Sequence, residues 1–126
     1  QNIEVTDDNR VIALNTCTGE VNVWDLAKEV QKLQFKVLQF LAIPAFRSNY
    51  LGFLYKRYKN LLAVINYRCG SDSKRHVELW DTESGKKINT WQVESYSSPS
   101  SYISFFRDNM IVVSSQKDSR LTLCKF

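Results

Sequence analysis

The residues with the chemistry for catalysis are few. The chain holds one histidine, His76, in a Ser/Lys/Arg-rich stretch with Cys69 seven positions before it and Asp72 between. Nucleophilic catalysis needs a nucleophile beside a base that a third group orients. Cys69, Asp72 and His76 are the right types, but they fall within polar residues with no sign of fixed geometry, and a solvated loop is the reading adopted. Metal binding needs about four N, S or O ligands in a tight array. Cys17, Cys69 and Cys124 are far apart and form no paired motif, so they read as free thiols. Phosphate cradling needs a Gly-rich loop that opens a helix. Gly19, Gly52, Gly70 and Gly85 are isolated. The expectation is therefore a non-enzymatic protein with no catalytic residue, metal or cofactor.

Composition fits that expectation. The 126 residues are 44% hydrophobic and 24% charged, an ordinary globular balance, and suffice for one domain with a core. Net charge is +4, too little to imply nucleic acid without a focused patch. An odd cysteine count and the lack of any Asn-x-Ser/Thr acceptor point to a reducing compartment, cytoplasmic or nuclear. The longest apolar run, Val37 to Phe46, is interrupted by Gln39 and Pro44 and falls short of the roughly 20 residues that span a bilayer. No membrane association is expected. The chain begins at Gln1 rather than Met, which fits a piece of a longer polypeptide.

The elements that would position any site emerge from internal repetition. Val77-Glu78-Leu79-Trp80-Asp81 alternates as a half-buried strand does. Asp81 to Gly85 has turn chemistry, with Gly85 free to take positive φ. A second strand, Lys87 to Val93, completes a hairpin. The same ending recurs at Val21-Asn22-Val23-Trp24-Asp25-Leu26. Three short turns share an asparagine: Asp8-Asn9, Lys59-Asn60 and Asp108-Asn109. Asn tolerates the left-handed region and suits tight strand-to-strand turns. An apolar strand follows each turn, starting at Val11, Leu61 and Met110. Ile3 and Val5 precede the first turn, Ile103 and Phe105 the third, and Tyr50 to Tyr55 the second. Asn9 to Trp24 is 15 residues, as is Asn109 to Cys124. Asn60 to Trp80 is 20, the excess falling in Cys69 to His76. Trp80 and Cys124 are 44 apart.

These units resemble WD repeats, whose period is roughly 40–45 residues and whose repeat is one four-stranded propeller blade. The resemblance rests on Val21–Leu26, Val77–Lys86 and Asn109–Phe126, with Asn9, Asn60 and Asn109, Trp24 with Asp25, Trp80 with Asp81, Gly85 and Cys124 as landmarks. The units are degenerate. The family's Gly-His pair is missing from all three. Its turn aspartate falls at Thr18 in the first and Asp118 in the third. Cys124 stands where the third tryptophan would be. The implied fold is all-β, with antiparallel four-stranded meander blades. Blade 1 spans about 1–37, blade 2 about 50–93 and blade 3 about 102–126. Leu26 to Leu41 is spaced for either a helix or a strand. The second hairpin favours the strand. Ala42–Asn49 and Ser97–Ser101 would be connections.

Propellers close with roughly four to eight blades. Some three blades leave an incomplete ring whose edges seek pairing, so the rest of a propeller or another chain is expected to complete it. The resemblance implies a scaffold or adaptor that binds peptide or domain partners, including substrate recognition within ubiquitin ligases. It would also bring Arg47, Lys74, Arg75, Lys117 and Arg120 to one rim, among Glu20, Asp72 and Asp118. Such a rim could read a phosphorylated or acidic peptide, because Arg forks match phosphate and carboxylate. Nucleic acid is the weaker alternative, since the charge is mixed and no aromatics interleave it. Trp24, Trp80, Trp91, Phe105 and Phe106 read as packing between blades. Tyr50, Tyr55, Tyr58 and Tyr67, flanked by Lys56, Arg57 and Lys59, read as nearer a wet turn.

Overall fold

In a computed structural model the chain is all-β. Residues 2–6, 8–15, 18–38, 53–66, 74–94, 101–115 and 120–126 are described. They form eleven strands in three antiparallel sheets. The first sheet runs β1 (Asn2–Val5), β2 (Arg10–Leu14), β3 (Glu20–Asp25) and β4 (Val30–Lys36). The second runs β5 (Phe53–Tyr58), β6 (Leu61–Asn66), β7 (Lys74–Asp81) and β8 (Lys86–Glu94). The third holds β9 (Ser101–Phe106), β10 (Met110–Ser115) and β11 (Arg120–Lys125). Every strand pairs with its neighbours in sequence, so each sheet is a simple meander.

Alternation explains the strands. In β2 and β3 the side chains of Ile12, Leu14, Val21 and Val23 are buried, and those between them are less so. They pack on Leu62 and Val64 of β6, with Val37 and Leu38 sealing the junction. The other face of the second sheet offers Ala63, Ile65, Val77, Leu79 and Val93. These meet Ile103, Ile111, Val113 and Cys124 of the third sheet. Strand β6 is thus buried on both faces. Its core segment reads Leu-Leu-Ala-Val-Ile, without a polar residue, for that reason. The result is an unclosed, propeller-like stack of sheets.

Within Leu26–Leu41 the described residues form a turn, strand β4 and a bend at Val37 and Leu38, with no helix among them. A bulge between Val23 and Trp24 interrupts its ladder with β3, and one between Leu79 and Trp80 interrupts β7 with β8. The strand before the second turn is Phe53–Tyr58, later than Tyr50–Tyr55 suggested. Tyr50 to Gly52 and Ala42–Asn49 lie outside the described residues.

One hydrogen bond recurs in all three sheets. The carbonyl of Asn9 accepts from Leu26 N at 3.0 Å, that of Asn60 from Thr82 N at 2.8 Å, and that of Asn109 from Phe126 N at 2.9 Å. Each ties the first turn of a sheet to the end of its third strand. In each sheet the donor lies two residues after Trp24, Trp80 or Cys124, so the recurring asparagine and the landmark that follows it are the sequence trace of this bond. The left-handed residue differs, however. Asn9 has φ 62, whereas Lys59 and Arg107 take that role in the other turns with φ 54 and 59. The loops differ in length, and the residue needing positive φ moves with them. The two-residue turn Lys59-Asn60 has positive φ at its first position, as type II′ requires.

Gly85 has φ 70, as its turn demands. Gly19 has φ 81, and a Cβ there would sit 2.6 Å from the Val37 carbonyl oxygen. The left-handed position of the β3–β4 turn is occupied by Glu29, φ 54. Glu29→Gly is expected to be neutral or to stabilise by up to about 1 kcal/mol, and Gly85→Ala to destabilise by about 1 kcal/mol, read by urea titration. Ile65→Ala, within the second core, should cost about 2–5 kcal/mol by the same measurement.

Candidate interaction surfaces

Of the five residues expected at a basic rim, Arg75 is the one whose side chain is described. Arg75 lies in β7, paired with Val93, and its side chain is fully buried. It is therefore not a solvated loop residue: β7 begins at Lys74, so the strand reaches further back than the polar sequence suggested. His76 is in the same strand, paired with Gln92, and is not in a turn. Lys74 and Arg120 open β7 and β11. Arg47 and Lys117 lie outside the described residues, as do Cys17, Cys69, Asp72, Asp118 and Tyr67. Among the described residues no three His, Cys, Asp or Glu side chains group to hold a metal, and no helix is long and apolar enough to cross a membrane.

Polar contacts instead pin one sheet to the next. Arg10, 4% exposed, donates from Nη2 to Asn60 Oδ1 at 2.8 Å and pairs through Nε with Asp8 Oδ2 at 2.8 Å. It reaches across the first junction. The Thr6 hydroxyl donates to Asp8 as well. The Arg10 guanidinium, helped by Thr6, holds the Asp8 carboxyl down to about 2. Across the second junction, the Tyr58 hydroxyl donates to Asp108 Oδ1 at 2.8 Å, with Lys59 Nζ 3.7 Å away. The Tyr58 contact, with the Lys59 charge, lowers the Asp108 pKa. Burial, reinforced by the Glu4 carboxylate, raises that of the Tyr55 phenol.

Glu78 is the least expected of these groups. It is 1% exposed, inside an interface of aliphatic side chains. Its Oε1 accepts from Trp80 Nε1 at 2.8 Å and from Leu38 N at 2.8 Å, while Lys87 Nζ lies 3.6 Å from Oε2. Leu38 follows β4 and has φ 56. One carboxylate thus satisfies the tryptophan indole and fixes the chain as it leaves the first sheet. Alternation marked Glu78 as the polar, outward residue of Val77–Trp80. It is covered because the second sheet has a neighbour on both sides.

The aromatics divide. Trp80 stacks on Phe35 of β4, ring centroids 4.9 Å apart and planes 17° from parallel. Trp91 and Phe105 both approach Phe126, and Phe105 meets Tyr58 across the second junction. Cys124 is buried in the position of the third tryptophan, and burial raises its thiol pKa. Trp24 and Phe106 depart from the expected packing. Trp24 is 40% exposed and Phe106 is 49% exposed, because their sheet faces have no neighbour among the described residues.

Two outer faces result. On the first sheet, Ile3 (65% exposed), Val5 (60%) and Trp24 share a face with Val11 and Ala13. On the third, Leu121 (67%) and Leu123 (54%) share one with Phe106 and Val112. Hydrophobic residues side by side on an uncovered sheet face mark an interaction surface more often than a solvated one. No protein-family model and no curated protein matches the chain.

Glu78→Ala leaves the Trp80 and Leu38 donors without their buried acceptor, and is expected to cost about 3–5 kcal/mol in urea titration. Asp8 has a folded pKa below its unfolded value. Its contribution to stability is therefore present above about pH 4 and lost as pH falls towards 2. The Asp8→Asn variant should show a flatter stability profile between those limits.

Proposed function

We propose that this chain is a non-enzymatic protein-interaction module, a WD-like propeller portion that serves as scaffold or adaptor. The observation that carries the reading is the pair of uncovered apolar faces. Inside the stack, the aliphatic side chains at the centre of the equivalent faces, such as Leu62 and Val64, are fully buried. At the two ends, large aliphatic and aromatic side chains stand open on strands whose opposite sides are buried. A sheet surface of this kind is built to be covered, and proteins are the partners that supply matching apolar side chains. Substrate recognition in a ubiquitin ligase is one role that such a scaffold serves. The basic-rim alternative, binding nucleic acid or a phosphorylated or acidic ligand, loses Arg75 to the interior, so protein contact is favoured.

The test is Leu121→Lys with Leu123→Lys in the natural host. Crosslinks from Lys125 to protein partners should fall at least tenfold. Far-UV circular dichroism and the melting transition should be retained. Unchanged crosslinking in a folded variant would remove this end face from the reading.

A further inference from the structure

The ion pairs among the described residues differ in what they join. Arg10–Asp8 sets a buried arginine against an exposed carboxylate. Lys59–Asp108 joins two exposed groups. Lys87–Glu78 joins a lysine side chain that is 44% exposed to a carboxylate that is 2% exposed. An amine that dissolved reagents can reach is therefore the counter-charge of an acid that water cannot reach. Loss of an exposed pair costs little, whereas removing one member of a buried pair leaves an uncompensated charge inside.

The two carboxylate oxygens of Glu78 meet different groups. Oε1 accepts from both Leu38 N and Trp80 Nε1, each at 2.8 Å. Oε2 faces Lys87 Nζ at 3.6 Å, its partner among the described residues. Leu38 has φ 56, a left-handed setting that leucine rarely adopts and that surrounding contacts must hold. Beside it, Val37 N donates to Gly19 O at 2.8 Å, and the side chains of Val37 and Leu38 close the first core. The exit of the first sheet thus hangs on a carboxylate of the second, and that carboxylate on an exposed lysine.

We propose that Lys87 is a regulatory acylation site, and that its neutralisation opens the contact between Glu78 and Leu38. In the modifying step Lys87 Nζ, having released one proton to water, attacks the carbonyl carbon of an acyl thioester. The C–N bond forms, the C–S bond breaks, and the leaving thiolate takes a second proton from the amine. The ammonium becomes a neutral amide with one N–H. Glu78 keeps its charge and loses its counter-charge. The carboxylate turns toward water, and Leu38 N and Trp80 Nε1 lose their acceptor. The first core loosens at Val37 and Leu38, while the second core, on the opposite face of the second sheet, is untouched. None of this depends on how either end face is used.

The intact 126-residue chain serves for the test. Treatment with acetyl-coenzyme A, followed by peptide mass mapping, should acetylate Lys87 within about tenfold of the rate at the exposed Lys86. A Lys87 that stays unmodified while Lys86 reacts overturns the proposal. Next, acetyl-lysine is incorporated in place of Lys87 and amide exchange is followed by NMR. The Leu38 amide should exchange at least about tenfold faster than in the unmodified chain, and the Ile65 amide within about threefold of it. Lys87→Arg keeps the charge and should stay within about threefold at both amides. Glu78→Gln in the acetylated chain should bring Leu38 back to within about threefold, because a carboxamide oxygen still accepts and carries no charge. Unchanged Leu38 exchange in the acetylated chain overturns the proposal. So does an equal rise in Lys87→Arg, an equal rise at Ile65, or a folded Glu78→Gln chain in which Leu38 stays unprotected.

Discussion

The second sheet is covered on both sides, and most of the molecule's features descend from that burial. A sheet with one wet face can alternate polar and apolar residues. A sheet between two others cannot. Its central strand must be apolar throughout, which Leu61–Ile65 is. Any polar side chain on it must bring partners along. Glu78 does so with the Trp80 indole, the Leu38 amide and Lys87. Arg75 is buried in the same sheet. Buried aliphatic groups each contribute about 1.5–3 kcal/mol relative to exposure. The two cores therefore dominate cohesion, and the polar contacts decide how the sheets are aligned.

That alignment is set at the turns. Arg10 crosses to Asn60 at one junction, and Tyr58 crosses to Asp108 at the other. The chemistry differs, but each link joins a strand residue flanking the first turn of one sheet to a residue in the first turn of the next. The Asn carbonyl bond to the end of the third strand gives each turn a fixed position within its own sheet. Together the two kinds of contact transmit geometry from one sheet to the next without relying on side-chain packing alone.

Much of this was legible in the sequence. The alternation at Val21–Trp24 and Val77–Trp80, and the spacing from asparagine to tryptophan or cysteine, anticipated the antiparallel meanders. The ambiguous Val30–Lys36 stretch resolved as strand because Leu33 and Phe35 face a neighbouring sheet, a fact that lies outside its own sequence. Glu78 was illegible for a related reason. Local pattern reports the two faces of a strand but not which of them is wet. The polar neighbours of Arg75 and His76 have the composition of a loop, although strand pairing with Val93 and Gln92 governs them. Trp24 and Phe106 looked like interior aromatics by type. Only the arrangement of sheets distinguishes a tryptophan that has met its partner from one that has not.

The serial order of the sheets has a bearing on biosynthesis. Meander pairing is local, so each sheet can form soon after its strands leave the ribosome. Yet the strongly apolar β6 emerges before β9 and β10, which shield one of its sides. Until those strands arrive, a nascent chain exposes Ala63, Ile65, Val77 and Leu79 to solvent or to a chaperone. Synthesis speed through the stretch between Glu94 and Met110 thus sets how long that surface stays open, and slow codons there would favour misassociation over capture.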